Sequence, residues 1–469
     1  MNDPRKTYRP WNPQAYRQQA HSPASKLPEG DLVFFFLDLV PHLDLRAIYA
    51  PYEDQLRGAP PFDPRLMTCL WLYAYAVGVF SSRKLAQACE RNLAFLAIAG
   101  DDRPDFRTLS DFRKLHLDAL GGLFTQVLRL AHEAGLVQLG AWATDGSKLP
   151  GNASRHKAMS YGYMNKEEQR LQAEIKELLA QQQQTDAAED AALGCRRGDE
   201  LPAELQFRAG RLAKIQEAKA RLEAQAREAA EAERQRRAES GEQVRRGHKH
   251  AGGRPGQPVR DVPDDQAQTS FTDPELKVMQ QNNKGWDYGG NAQVVVDDAC
   301  QIILACDVVI EANDKRQAVP MAQQALANLQ VAGIPRPCNA QGQVRKILSL
   351  EDAGYFSEGA VTGLEALGLD PYIATERQKH HATAAAAPRQ GKGTAQAKMR
   401  AKLQTARGRA VYGLRKGVVE PVFGQIKGAR GFRRFGLRGL GQVRGEWRLV
   451  CLTHNLLKIW RYGSAPGVN

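Results

Sequence analysis

The stretch GLVQLGAWATDG, residues 135–146, is where the chain changes its hydrophobic period. Val137, Leu139 and Ala141 alternate with Gln138, Gly140 and Trp142, the two-residue repeat that sends successive side chains to opposite faces of a strand. The run closes on Asp145-Gly146, so it predicts a strand with Asp145 at its C-terminal end. Everything before it reads as helix. "LVFFFLDLV" (32–40) is too short to span a bilayer and contains Asp38, which makes it a core helix. Asp63-Pro64 pairs an N-cap with a proline in the first turn, followed by Leu66, Leu70, Tyr73 and Val77 at helical spacing. Further starts fall at Ser81-Ser82 and in "TLSDFRKLH" (108–116). These helices are compatible with a helix-turn-helix, but the pattern reads first as an ordinary bundle.

Beyond the strand the composition becomes polar. Residues 166–184 and 203–239 are rich in Ala, Glu, Gln, Lys and Arg. Leu205, Leu212, Ile215, Leu222, Ala226 and Ala229 keep the steps of a coiled-coil seam, which predicts an antiparallel helical hairpin. "RRGHKHAGGRPGQPVR" (245–260) reads as a basic arm or a solvated linker. Strands resume in "NAQVVVDDACQIILACDVVI" (291–310), a hairpin turning at Asp297-Asp298. A helix over 316–329, a strand at "KILSL" (346–350), a helix capped by Ser357 and a strand at "PYIAT" (371–375) follow. "HHATAAAAPRQGKGTA" (380–395) is low-complexity linker, and the last segment is helical and basic.

The charge is local. The 469 residues carry a net +13, yet residues 395–461 hold sixteen Lys or Arg against Glu420 and Glu446 alone. The remainder is nearly balanced, with 49 bases and 50 acids, so the basic tail predicts a polyanion surface. Seven scattered cysteines without a CxxC pair predict a reducing cytosol, with no zinc site or disulfide framework. The N-terminus lacks the apolar run of a signal peptide, and no membrane span is expected.

Inside that tail, Glu420 stands among Arg415, Lys416, Lys427, Arg430, Arg433 and Arg434, where a carboxylate would repel phosphate. With the insertion removed, Asp145 ends the first strand, Asp352 follows the fourth, and Glu420 lies on the helix after the fifth. Three converging carboxylates repel one another unless divalent cations neutralise them. Mg²⁺ prefers such hard oxygens, and two ions about 4 Å apart can serve the attacking and leaving oxygens of a phosphodiester. Glu351, Asp297, Asp298, Asp307 and Asp314 compete with Asp352 for the second position, the hairpin pair reading as turn chemistry. Pro421 suits a first helical turn and predicts that Glu420 sits at a helix start or a kink. Trp142 and Tyr355 read as core, and Trp286 as a loop anchor ahead of a base-stacking group. His380 and His381 lie in linker.

Taken together, these segments resemble the DDE-type transposases of bacterial insertion sequences, in the group with a helical insertion after the first catalytic strand. The resemblance is carried by "PEGDLVFFFLDLVPHLDL", "YAYAVGVFSSRKLAQA", "PDFRTLSDFR", "TDGSKLPGNASRHKAMSYGYM", "FTDPELKVM", "GGNAQVVVDD", "DAGYFSE" and "YGLRKGVVEPVFGQIKG". It implies an α/β, ribonuclease H-like mixed sheet flanked by helices, with an N-terminal all-α domain. It also implies that Asp145, Asp352 and Glu420 hold two Mg²⁺ ions, with Mn²⁺ as a substitute. In the superfamily's Tyr-x2-Arg-x3-Glu-x6-Lys pattern Lys427 matches the Lys position, and Tyr412 and Arg415 match each other's spacing, but four residues rather than three separate Arg415 from Glu420. On a straight helix Lys416 takes the Arg place, and a kink at Pro421 would return it to Arg415. Arg430, Arg433, Arg434 and Arg438 are then expected on backbone phosphate.

The expected organisation is a helical DNA-binding or dimerisation domain (1–134), a first catalytic strand (135–165) and a hairpin insertion with basic arm (166–270). The continued core (271–379), a linker (380–410) and the basic C-terminal part (411–469) complete it. The expected activity is binding of an element's terminal inverted repeats, metal-dependent cleavage and strand transfer, by a homodimer on double-stranded DNA in the bacterial cytoplasm. A nuclease of the same fold that does not join ends, or an inactive DNA-binding derivative, are the alternatives.

Overall fold

A computed structural model describes residues 8–18, 22–53, 59–154, 157–193, 203–239, 258–281, 285–376 and 395–463. The expected basic arm falls mostly, and the low-complexity linker almost wholly, outside the described residues. Seven helices come first: α1 (Pro13–Gln18), α2 (Leu32–Leu39), α3 (Arg46–Glu53), α4 (Pro64–Ala76), α5 (Ser82–Arg91), α6 (Leu93–Ala99) and α7 (Phe106–Glu133). Strand β1 (Ala141–Pro150) follows, then β2 (Ala158–Ser160), α8 (Tyr161–Leu193), α9 (Ala203–Glu239), β3 (Gln268–Ser270) and β4 (Lys277–Gln280). The chain continues through β5 (Trp286–Asp297), β6 (Ile303–Val309), α10 (Ala318–Val331), β7 (Ile347–Glu351), α11 (Glu358–Ala366) and β8 (Leu369–Ile373). It ends in α12 (Ala395–Gln404), α13 (Ala406–Gly424) and α14 (Leu440–Tyr462).

The main sheet runs β6-β5-β1-β7-β8, with β4 also pairing β5. β5 runs antiparallel to its neighbours β1 and β6, whereas β7 and β8 run parallel to β1. The mixed sheet has α10 against β5 and β6, α11 against β8, and α13 across β1, β5, β7 and β8. This is the expected ribonuclease H-like class.

Two compact units emerge, residues 1–152 with 279–469, and residues 153–278. In the first, a single core joins Trp71 and Val127 of the N-terminal helices to Ala143, Val295 and Trp447. The expected boundary at 134 therefore separates no compact bodies, because α14 packs on α4 and α7 as well as on β6. Gly445 allows the close approach to α7: a Cβ there would lie 2.5 Å from Leu117 Cγ. Glu446 is wholly buried at that seam, accepting from Gly436 N at 2.8 Å and from the Tyr75 hydroxyl at 3.3 Å. Tyr75 in turn accepts from Arg113 at 3.0 Å. One of the two acids in the basic tail is thus a structural tie.

In the second unit α8 and α9 form an antiparallel hairpin, closed by Tyr161, Met164, Leu171, Ile215, Ala218 and Leu222. Glu174–Arg208, Glu167–Arg211 and Glu168–Lys219 pair across it. The seam departs from the expected one at Ala229, which is exposed, while Ala230 is buried.

β1 also begins later than its sequence period suggested. Residues 136–139 make no ladder; Asp297 accepts from Leu139 N at 2.9 Å, and Asp298 accepts from Ala141 N at 3.1 Å. Leu139 takes a φ of 55°, which breaks the extended run. Asp145 consequently lies in the middle of β1 rather than at its end, and Asp297-Asp298 anchor the entry to β1 as well as turning the hairpin.

Candidate active site

The parallel register of β1 on β7 pairs Ala143 with Leu350 and Thr144 with Glu351. Side chains alternate along both strands, so the next residues, Asp145 and Asp352, fall beside each other on the opposite sheet face from Thr144 and Glu351. Asp352 then leaves the sheet as the N-cap of the short turn Ala353–Tyr355, its Oδ1 accepting from Gly354 N at 2.7 Å. Glu351, the neighbour that competes with it in sequence, points inward. It is fully buried and takes the Ser349 hydroxyl, which itself accepts from Trp142 Nε1 at 2.7 Å. Burial pushes its carboxyl up to about 8.

Asp145 is pushed up to about 6, first by burial and then by the charges of Asp352 and Asp314. Gly146 N, donating at 2.8 Å, and Arg415 oppose that rise. Asp314, a rival for the second acid position in sequence terms, thus belongs to the same neighbourhood. Its Oδ1 accepts from Asn291 Nδ2 and Gln293 Nε2, each at 2.7 Å, and a Cβ on Gly146 would sit 2.9 Å from it. The Tyr355 hydroxyl donates to Gln293 Oε1, so this buried tyrosine is core and also part of the polar support.

Glu420 arrives on α13. The helix is continuous from Ala406 to Gly424, so Glu420 lies at neither a helix start nor an end, and Pro421 is accommodated inside. After Gly424 the backbone widens into a π-turn over Gln425–Ala429, closed by Arg430 N donating to Gln425 O at 3.0 Å. Arg415 projects from α13 with its side chain 12% exposed, 3.6 Å from Asp145 Oδ2 and 3.6 Å from Glu420 Oε1. Lys416 is exposed, so the position expected for it is filled by Arg415. Tyr412 lies near Arg415; burial pushes its phenol up, and Arg415 opposes this.

Lys427, inside the π-turn, donates to Ser147 Oγ on β1 and lies 5.5 Å from the Phe423 ring centre. Burial pulls its ammonium down, with Asp145 opposing. Arg433 and Arg434 are exposed, Arg433 Nε donating to Lys427 O at 3.0 Å and Arg434 pairing with Asp287 at 3.3 Å. Arg438 Nε donates to Asn152 O at 2.9 Å.

Arg430 is a correction. It is buried, and its guanidinium donates to Tyr75 O (3.2 Å), Val450 O (2.9 Å) and Thr453 Oγ1 (2.8 Å). Burial pulls it down to about 10. It ties α4 to α14.

The acids fit divalent-cation chemistry by their donor set. Asp145 and Asp352 offer hard oxygens side by side, and a divalent cation would offset both the burial of Asp145 and the charge of its neighbour. Among the described residues no three acids, histidines or cysteines stand close enough to enclose an ion. Arg415 supplies the positive charge between Asp145 and Glu420.

Comparison with known families agrees with this architecture. The model described as Transposase DDE domain matches residues 375–460, which contain Arg415, Glu420 and Lys427. The model described as Transposase domain (DUF772) matches residues 21–115, within the N-terminal helices. Asp145 and Asp352 lie outside both segments. No curated protein and no solved structure gives a significant match. The DDE-domain match thus covers the helices that follow a sheet of the ribonuclease H-like class. The two matched segments, residues 21–115 and 375–460, are similar to transposase domains.

Proposed function

We propose that the chain binds the terminal inverted repeats of its element, cuts the DNA there and joins the 3′ ends to a target. The observation that supports this reading is the β1–β7 register that sets Asp145 beside Asp352, with the Arg415 guanidinium 3.6 Å from both Asp145 and Glu420. Asp145, Asp352 and Glu420 would hold two divalent ions, Mg²⁺ by preference with Mn²⁺ as substitute. When bound, such ions polarise the phosphoryl group and activate the attacking water or 3′ hydroxyl.

The chain's own residues do the rest. Asp145 and Asp352 are fixed by strand register, so the acids need no reorganisation. Lys427, half-buried beside Asp145, binds a non-bridging phosphate oxygen in a poorly solvated position where its charge counts more. Arg415, steadied by Tyr412, holds Glu420 and Asp145 until the substrate phosphate competes for it. Lys416, Arg433 and Arg434 contribute phosphate contacts farther out, with a salt-dependent affinity. Pairing two ends calls for a homodimer on DNA. The cytoplasm is the matching setting, and no described helix is long and apolar enough to cross a membrane.

The test is nicking of end-bearing DNA in Mg²⁺ by Asp145→Asn, Asp352→Asn and Glu420→Gln. Each is expected to lose at least roughly 10³-fold in rate while keeping DNA affinity. Undiminished cleavage by any of the three would remove that residue from the centre. Pre-cut ends offered with target DNA should give joined product; cleavage without joining would mark a nuclease instead.

A further inference from the structure

Pro421 raises a problem that the helix does not solve by itself. A helical residue at 421 would donate its N–H to the carbonyl of Gly417, and proline has none. A lost bond at that point would ordinarily bend α13 next to Glu420. Yet α13 runs unbroken through Pro421.

The missing donor comes from another element. Gln301, in the connection between β5 and β6, donates from Nε2 to Gly417 O at 3.0 Å. Its Oε1 accepts from Lys458 Nζ at 2.8 Å and Gln425 Nε2 at 3.2 Å. Lysine can only donate and a carbonyl can only accept, so just one orientation of the amide satisfies these partners. Gln301 thereby grips α13 on each side of Glu420: at Gly417 before it, and at Gln425, where the π-turn carrying Lys427 opens.

The grip is itself held. Gln301 adopts a φ of 61°, and His454 Nε2 reaches its carbonyl at 3.1 Å. Two residues on, Ile303 exchanges both backbone bonds with the Asn455 side chain at 2.8 Å each. Three α14 residues therefore fix the loop that supplies the donor.

We propose that Gln301 is a positioning residue for Glu420, replacing the backbone bond that Pro421 removes and so keeping the acid-bearing helix continuous and in register with its π-turn. The proposal rests on Glu420 belonging to the active centre.

The test is a double-mutant cycle in the full-length protein, read by single-turnover cleavage and by amide exchange along α13. Gln301→Ala is expected to slow cleavage roughly tenfold with DNA affinity unchanged, and to speed exchange around residues 417–424. Pro421→Ala restores an N–H for Gly417, so the double variant should return to within about twofold of Pro421→Ala alone. Gln301→Glu, which keeps an acceptor for Lys458 but lacks the donor, should behave like Gln301→Ala and be rescued in the same way. Loss in Gln301→Ala that Pro421→Ala does not repair, or no change in either readout, overturns the proposal. Cleavage that survives Glu420→Gln would instead overturn the assignment of the centre, and the exchange readout would still report on the helix.

Discussion

Arg430 and Arg433 stand three residues apart in one basic run and meet opposite fates. Arg430 spends its donors on two carbonyls and a hydroxyl inside the core, whereas Arg433 is exposed. Replacing Arg430 by Ala leaves buried acceptors unpaired, so urea unfolding should show a loss on the order of 3 kcal/mol. Arg433→Ala and Arg434→Ala should leave stability within about 0.5 kcal/mol and reduce the salt slope of DNA binding by about 1 each. A stable Arg430→Ala protein with weakened DNA binding would reverse the assignment. Nothing in a basic run says which arginine turns inward. That depends on the π-turn and on Gly431 at a φ of 73°, which a spacing argument cannot foresee. The same holds for Arg415 and Lys416: counting along an undistorted helix selects the exposed one. The nearness of Asp145 and Asp352 is legible because both follow strand runs that pair in the sheet, while Asp314 reads as only one of several rivals, since two side-chain amides bring it in.

At the level of elements, α14 is the one whose role is least visible in its sequence. It reads as a basic terminal helix, yet residues 449–456 are buried on every side. His454 is buried there against the Gln301 carbonyl, and burial, with Arg430, Lys458 and Arg461 nearby, pushes its imidazole down to about 3. Its ordinary value is 6.5, so between pH 6.5 and 3 the unfolded chain binds a proton that the folded one refuses. The stability His454 allows is complete above pH 6.5 and declines as pH falls. Asp297, pushed up to about 6 by burial, acts in the opposite sense, losing stability as pH rises toward 6. The comparison must therefore be made between variants: His454→Gln should lose less stability than wild type between pH 7 and pH 4.5. Equal losses in urea midpoint would show that His454 does not govern the acid limb. β1 teaches a related lesson. Its alternation starts at Val137, but side-chain caps from Asp297 and Asp298 occupy the first residues, so the ladder begins at Ala141.

For the whole molecule, the fold class was readable because strand order survives once the polar insertion is set aside. The unity of the N-terminal helices with the sheet was not, because it depends on a helix more than 300 residues downstream filling the groove between α4 and α7. Residues 1–134 expressed alone lack that filling and the Glu446 tie. They are expected to be helical by circular dichroism but without a cooperative thermal transition, and adding residues 440–462 in trans should restore one. A sharp transition for 1–134 by itself would show an independent domain. The pairing of β1 with β7 reaches further still. A slip of one residue would turn Asp352 into the interior and present Glu351 in its stead, one methylene longer and parted from the buried Trp142–Ser349 surroundings of β1. On the proposed centre a misassembled copy is thus a blunt one: the error that spoils the sheet would also dismantle the cutting edge, so wrong folding and reckless chemistry would not occur together.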